Sequence, residues 1–344
     1  MKSKSNFLFA FLLSLALTSM SLAADAPKYQ VTDRFAIGGE GGWDYLSFDA
    51  DGGRLFITRG SHVMVVDAAT GKVLGDIPDT PGVHGVALAN DLGAGIASNG
   101  RGGNVTIFDL KSLKKTADVK AGTNPDAILY DPTSHYVLAF NGRSNDATVI
   151  DPTKAAVIAT IPLAGKPEFG VSDLRGHIFV NIEDKNEISE IDLLKKTVIA
   201  TWPLKGCDEP SGLAIDCKNN RLFSVCSNQA MTVLDAASGK LVATVAIGKR
   251  PDAAAFDPET QLIFSSNGEG TLTVIHQDSA DKYTVVQTVP TVVGARTLAL
   301  DPKSHKIFLI TAKFGATPAA TAEQPHPRPA LVPGSFEVLV VSQK

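Results

Sequence analysis

Cysteine, tryptophan and clustered positive charge are all scarce in this chain of 344 residues, which holds three Cys and two Trp. The cysteines, Cys207, Cys217 and Cys226, include no C-x-x-C pair, so neither a zinc ribbon nor a redox dithiol is signalled. Aromatics are 7% of the chain, and the densest cationic cluster, Lys111 to Lys115, has three lysines in five residues. Nucleic-acid binding needs clustered Lys and Arg for phosphates and aromatic faces for bases, so a single-stranded nucleic-acid binder ranks last among the readings kept below. Beyond the first residues, no stretch is apolar for long enough to cross a bilayer.

The N-terminus has what the rest lacks. Lys2 and Lys4 precede an apolar run, Phe7 to Leu17, broken only by Ser14, and Ser21-Leu22-Ala23 offers small residues for cleavage. This pattern is a secretory signal peptide over residues 1–23, with a mature domain over 24–344. No cysteine stands near the cleavage point to carry a lipid. The expectation is a periplasmic or secreted protein, monomeric and free of the membrane after cleavage. Loss of Lys2 and Lys4 leaves 30 basic residues against 36 acidic ones, a balance of −6. An oxidising compartment permits a disulfide. Cys207–Cys226 is the pair to expect if one forms, and free buried thiols remain the alternative.

The chain repeats. Apolar segments ending in Asp or an equivalent finish at Asp49, Ala89, Asp131, Asp173, Asp216, Asp257 and Asp301, at intervals of 40, 42, 42, 43, 41 and 44 residues. Turns such as Asp131-Pro132-Thr133-Ser134 follow them, because Pro fixes φ and cannot continue a ladder. A second strand, a polar turn, a third strand ending in Asp, a tight turn and a fourth strand complete each unit, as in Arg221 to Val225, Thr232 to Asp235 and Leu241 to Ile247. Four short strands in a repeat of roughly 40 residues make one propeller blade. The fold class expected is all-β, a seven-bladed β-propeller with four-stranded blades. The last unit supplies three strands, and residues 28–37 supply the fourth, so both chain ends meet in blade 7.

The grammar resembles the YVTN family of propeller repeats, and specifically YncE-like exported proteins. The likeness rests on the G-x-x-P opening of a blade, as in Gly122-Thr123-Asn124-Pro125, Gly165-Lys166-Pro167 and Gly248-Lys249-Arg250-Pro251, and on third and fourth strands such as Val149 to Pro162. Blades 1, 2 and 7 depart from it with Trp43, Val83 and Ala295. The resemblance implies architecture across the mature chain and leaves function open.

Two rings of residues face one mouth of such a channel. Five positions before each strand end stand Asp44, His84, Asp126, Glu168, Ser211, Asp252 and Arg296. Asp126, Glu168, Asp252 and His84 are candidate ligands for a divalent metal, and Arg296 could orient an anionic group. The other reading of each acid is a strand-end cap. Ten positions after the strand end stand Arg59, Asn99, Asn141, Glu183, Cys226, Asn267 and Thr311. The pairs Asn99-Gly100, Asn141-Gly142 and Asn267-Gly268 suit turns with positive φ, which leaves Arg59 and Glu183 as the ligand candidates of that ring.

An insertion, residues 313–335, is rich in Ala and Pro and carries His326 and Arg328 at its centre. Its length implies function or disorder, and the reading here is a lid that brings His326 and Arg328 to the mouth. Several patterns point nowhere. Trp43-Asp44 opens a strand rather than closing one as WD repeats do, Gly268-Glu269-Gly270 lacks a third glycine, and Ser211 lacks a G-x-S-x-G frame. Two tryptophans cannot supply the repeated docking of quinoprotein propellers. The leading expectation is a non-catalytic module that binds a small molecule, a metal or a protein at the mouth. The alternative is a metal-dependent hydrolase, lactonase or lyase there, with His326 or Glu183 as acid or base.

Overall fold

In the computed structural model, which describes residues 28–319, 321, 327 and 329–344, the chain forms seven antiparallel sheets of four strands each. The repeat therefore reads through as a seven-bladed β-propeller. The signal segment, His326 and Arg328 lie outside the described residues. Helical structure among the described residues is confined to two 3-10 turns, Asn90–Leu92 and Glu183–Lys185.

The innermost strands are Leu46–Asp49, Val83–Ala89, Pro125–Asp131, Pro167–Ser172, Pro210–Asp216, Pro251–Asp257 and Leu298–Asp301. In four of them the blade-opening proline is the first residue, where its missing N–H costs no ladder bond. Blades 1 and 7 have Trp43 and Ala295 instead, and their innermost strands shrink to four residues each. Apolar residues of adjoining blades pack face to face. Phe56 of blade 1 meets Phe108 of blade 2 at 5.8 Å, and Phe48 of blade 1 stacks on Phe308 of blade 7 at 5.4 Å.

Ring closure runs as the sequence implies. Tyr29–Ala36 pairs antiparallel with the C-terminal strand Glu337–Gln343, from Tyr29 opposite Gln343 to Ala36 opposite Glu337. Tyr29 is buried, lies edge-on to Phe264 at 5.3 Å, and exchanges backbone hydrogen bonds with the Gln287 side chain of blade 6. The first strand is thus fastened to two blades.

The Asn-Gly turns differ from expectation. Gly100, Gly142 and Gly268 are not in the positive-φ region, which is taken later in each turn by Gly103, Asn145 and Gly270. The turns are longer than two residues and close through Gly103 N to Asn99 O, Asn145 N to Asn141 O and Gly270 N to Asn267 O. Gly100 is small for a different reason: a Cβ there would lie 2.6 Å from His84 Nε2. The asparagines are buried, and their amide groups donate to Thr106, Thr148 and Thr273 of the following strands.

Cys207 and Cys226 are joined and tie the two mouth-side turns of blade 5 together, while Cys217 at the other end is free. The stem of the insertion is zipped by a bridge between Phe314 and Leu331 and by Val332 N to Lys313 O. Phe314 and Phe336 flank the Trp43 ring at 6.0 and 5.5 Å, which sets the stem beside the start of blade 1.

Candidate functional site

Each blade contributes one mouth residue just before or at the start of its innermost strand, where the chain comes in from the outer edge of the preceding blade. Neighbouring blades stitch these backbones together. Thr297 Oγ1 donates to Asp44 O, Tyr45 N donates to His84 O, and Ser211 Oγ donates to Pro251 O. Ser266 Oγ likewise donates to Arg296 O. Such support holds the side chains in place before any ligand arrives.

Five consecutive blades carry an unbroken chain of charged contacts. Asp252 Oδ2 lies 3.2 Å from Arg296 Nη1, and Arg296 Nη2 donates to Asp44 Oδ1 at 3.1 Å. The other oxygen of Asp44 lies 2.7 Å from His84 Nδ1, which is 3.5 Å from Asp126 Oδ1. On blade 4, Lys166 Nζ donates to Glu168 at 2.6 Å and also to Glu183. Ser211 of blade 5 leaves the gap in the ring.

Burial sets the electrostatics. It pushes Asp252 up to about 7 against the opposing pull of Arg296, with Asp44 and Asp126 adding to the rise. Burial and the nearby Asp126 raise Glu168 to about 8 although Lys166 opposes them, and Lys166 keeps its charge. Burial also raises Asp126. His84 is pushed down by burial, but the Asp44 hydrogen bond and the charge of Asp126 outweigh that and raise it. The mouth thus has carboxyl groups that hold protons near neutrality beside an imidazole that tends to stay charged. Asp252 Oδ2 is buried and has no hydrogen-bond partner, since the Arg296 contact has ion-pair distance without hydrogen-bond geometry.

Asp44, His84 and Asp126 each offer one ligand atom, all within 4.8 Å of one another. Two carboxylate oxygens and one imidazole nitrogen are a donor set suited to divalent zinc or manganese. Of the four metal candidates named from sequence, His84 and Asp126 fall in this cluster. Asp44 takes the third place, while Glu168 and Asp252 stand beside it.

Below the ring the channel narrows. The residues one position past the ring are Tyr45, Gly85, Ala127, Phe169, Gly212, Ala253 and Thr297. The two large ones, on blades 1 and 4, meet across the axis at 5.4 Å. They join Gly85, Ala127 and Ala253 around a chamber of about 90 Å³. Burial and the charges of Asp252 and Glu168 raise Tyr45 well above the usual phenol value. Neither Tyr45 nor Lys166 is among the candidates drawn from sequence. Tyr45 was visible there as one of two large members, with Phe169, of a ring of otherwise smaller residues. Lys166 was visible too, because blade 4 shortens G-x-x-P to Gly165-Lys166-Pro167.

Arg59 is placed differently from the other candidates. It is 1% exposed, its two terminal nitrogens donate to the carbonyls of Gly38, Glu40 and Gly41, and its plane lies 3.7 Å from the Phe336 ring centre. It lines a separate pocket with Gly39, Glu40, Gly41, Leu331 and Phe336. Glu183, in contrast, joins the mouth through Lys166.

No known protein-family profile matches the chain. A dihydro-heme d1 dehydrogenase of Pseudomonas aeruginosa is 28% identical over 120 residues, 34% of this chain and 24% of that protein. The chain therefore matches about a quarter of the relative's length. Among solved structures, hydrazine synthase of Kuenenia stuttgartiensis superposes with a TM-score of 0.68 at 18% identity, over 78% of this chain and 92% of the other. A chain of a mitotic checkpoint complex superposes with a TM-score of 0.75 at 15% identity, over 98% of each. The structural likenesses agree with the seven-bladed β-propeller fold that the sheet topology shows, and they extend to the fold alone.

Proposed function

We propose that this is an exported YncE-like propeller whose channel mouth binds a divalent metal ion through Asp44, His84 and Asp126. One observation carries the reading: three potential ligand atoms from three consecutive blades lie within 4.8 Å of one another. Blade packing and cross-blade hydrogen bonds hold all three, so little ordering entropy opposes binding. The carboxyl groups of the mouth offer oxygen ligands to a cation that displaces their protons, so binding is coupled to proton release. The joined Cys207 and Cys226 support an oxidising compartment. The same acid ring speaks against a polyanion partner, which leaves nucleic-acid binding last.

Catalysis at the mouth is the second reading. Glu168 at about 8 and Asp252 at about 7 could exchange protons beside the cluster at neutral pH. The Pseudomonas aeruginosa relative is an enzyme by name, although the match spans 120 residues. Fold alone assigns no chemistry, so binding stands first. The test is elemental analysis of protein purified from the periplasm or medium, with a thermal-shift screen of divalent ions. A stoichiometric metal that is lost in Asp126→Asn supports the proposal. No metal and no shift with any ion defeats it.

A further inference from the structure

Arg59 is the buried cation that the metal cluster leaves unused. We infer that Arg59 is a positioning residue, whose guanidinium pins the loop Gly38–Gly41 and so fixes Asp44 where both His84 and Arg296 reach it. Only the zinc readout below rests on the proposed metal site.

The connection is short. Arg59 holds the carbonyls of Gly38, Glu40 and Gly41 at 3.1, 2.8 and 3.1 Å. Its plane stacks on Phe336, whose ring lies 5.5 Å from that of Trp43, and Trp43 directly precedes Asp44. From the other side, Thr58 Oγ1 accepts from Asp44 N at 3.2 Å and donates to Tyr45 O at 3.0 Å. Thr58 and Arg59 at one strand end therefore grip the chain before, at and after Asp44. The loop is matched to this grip: Gly41 has φ +89°, and a Cβ there would lie 2.8 Å from Arg59 O.

The partners of Arg59 are carbonyls of the loop, whereas two other arginines of the chain are held by acids. Arg54 on the same strand pairs with Asp49 at 2.6 Å, and Arg221 pairs with Asp235 at 2.7 Å. Arg59 has burial as its sole perturbation, which lowers it to about 10, and its Nε is buried without a partner. What it does supply is a planar fork that reaches three carbonyls at once, which the point charge of lysine cannot reproduce.

The test compares Arg59→Lys, Phe336→Leu and the control Arg54→Met, all in full-length processed protein. In the metal-free state, selective 15N-histidine labelling follows the His84 Nδ1–H resonance, assigned by its loss in His84→Gln. Trp43 emission is followed in a Trp202→Phe background, and zinc affinity by titration. The expected result is a shifted or lost His84 resonance and altered Trp43 emission in Arg59→Lys and Phe336→Leu. Their zinc affinity falls by at least about tenfold, as for other groups that orient metal ligands. Arg54→Met leaves all three readouts unchanged. An unchanged His84 resonance in Arg59→Lys, or equal changes in all three variants, overturns the inference. If zinc fails to bind even the unaltered protein, the metal site falls and the resonance comparison still decides the role of Arg59.

Discussion

His84 Nδ1 and Asp44 Oδ2 are 2.7 Å apart across the boundary between blades 2 and 1. Asp44 spends its other oxygen on Arg296 of blade 7, so one carboxylate joins three blades at the mouth. Replacing it with Asn keeps the shape and removes the charge that both cations share. Asp44→Asn is expected to weaken zinc binding at least about tenfold, equivalent to about 1.4 kcal/mol. Competition with a chelating dye measures this, and unchanged affinity would remove Asp44 from the site.

The raised carboxyls give the mouth a pH signature. In an unfolded chain Asp and Glu titrate at about 4. In the folded protein Asp252 and Glu168 keep protons up to about 7 and about 8. Folding therefore takes up protons above pH 4, and the stability these groups give in acid is lost as pH rises through 7 and 8. His84, also raised, acts in the same direction. Melting temperature is expected to fall between pH 5 and 9, and to fall less in the double variant Glu168→Gln, Asp252→Asn. An identical fall in both would contradict the assignment.

Ring closure predicts a large effect from one terminal residue. Tyr29→Ala removes a buried ring that packs on Phe264 of blade 6. The expected cost is about 3 kcal/mol in urea unfolding. Deletion of residues 28–37 should leave the C-terminal strand Glu337–Gln343 with an open edge and produce aggregation during refolding, seen by light scattering.

The disulfide predicts a redox-dependent term of similar size. Cys207 and Cys226 close a loop of 19 residues, for which the loss of unfolded-state freedom is worth about 3 kcal/mol. The variant Cys207→Ser, Cys226→Ser is expected to unfold at lower urea than the oxidised protein. Equal midpoints with and without reductant would show that the bond does not form.

The fold was legible because a propeller repeats. Seven strand ends at 40 to 44 residue intervals set the blade count, and the surplus strand at 28–37 set the closure. The mouth ring followed from the same register, since one position per blade faces the axis. Side-chain partnerships were not legible. Arg59 and Glu183 hold equivalent places in the repeat, yet Arg59 turns under the glycine loop while Glu183 joins Lys166. Blade 1 has a glycine-rich approach whose carbonyls need a donor, and blade 4 has no such loop. The Asn-Gly pairs misled for a related reason. The dipeptide signals a two-residue turn, but buried asparagine amides committed to neighbouring threonines shift the left-handed residue further along.

Isothermal titration of Zn²⁺ into metal-free protein at pH 7, in two buffers of different ionisation enthalpy, tests the metal site most directly. One ion per chain is expected, with protons released as the metal displaces them from the mouth, and with binding lost in both His84→Gln and Asp126→Asn. Zinc that binds with equal affinity to those variants, or does not bind at all, would contradict it.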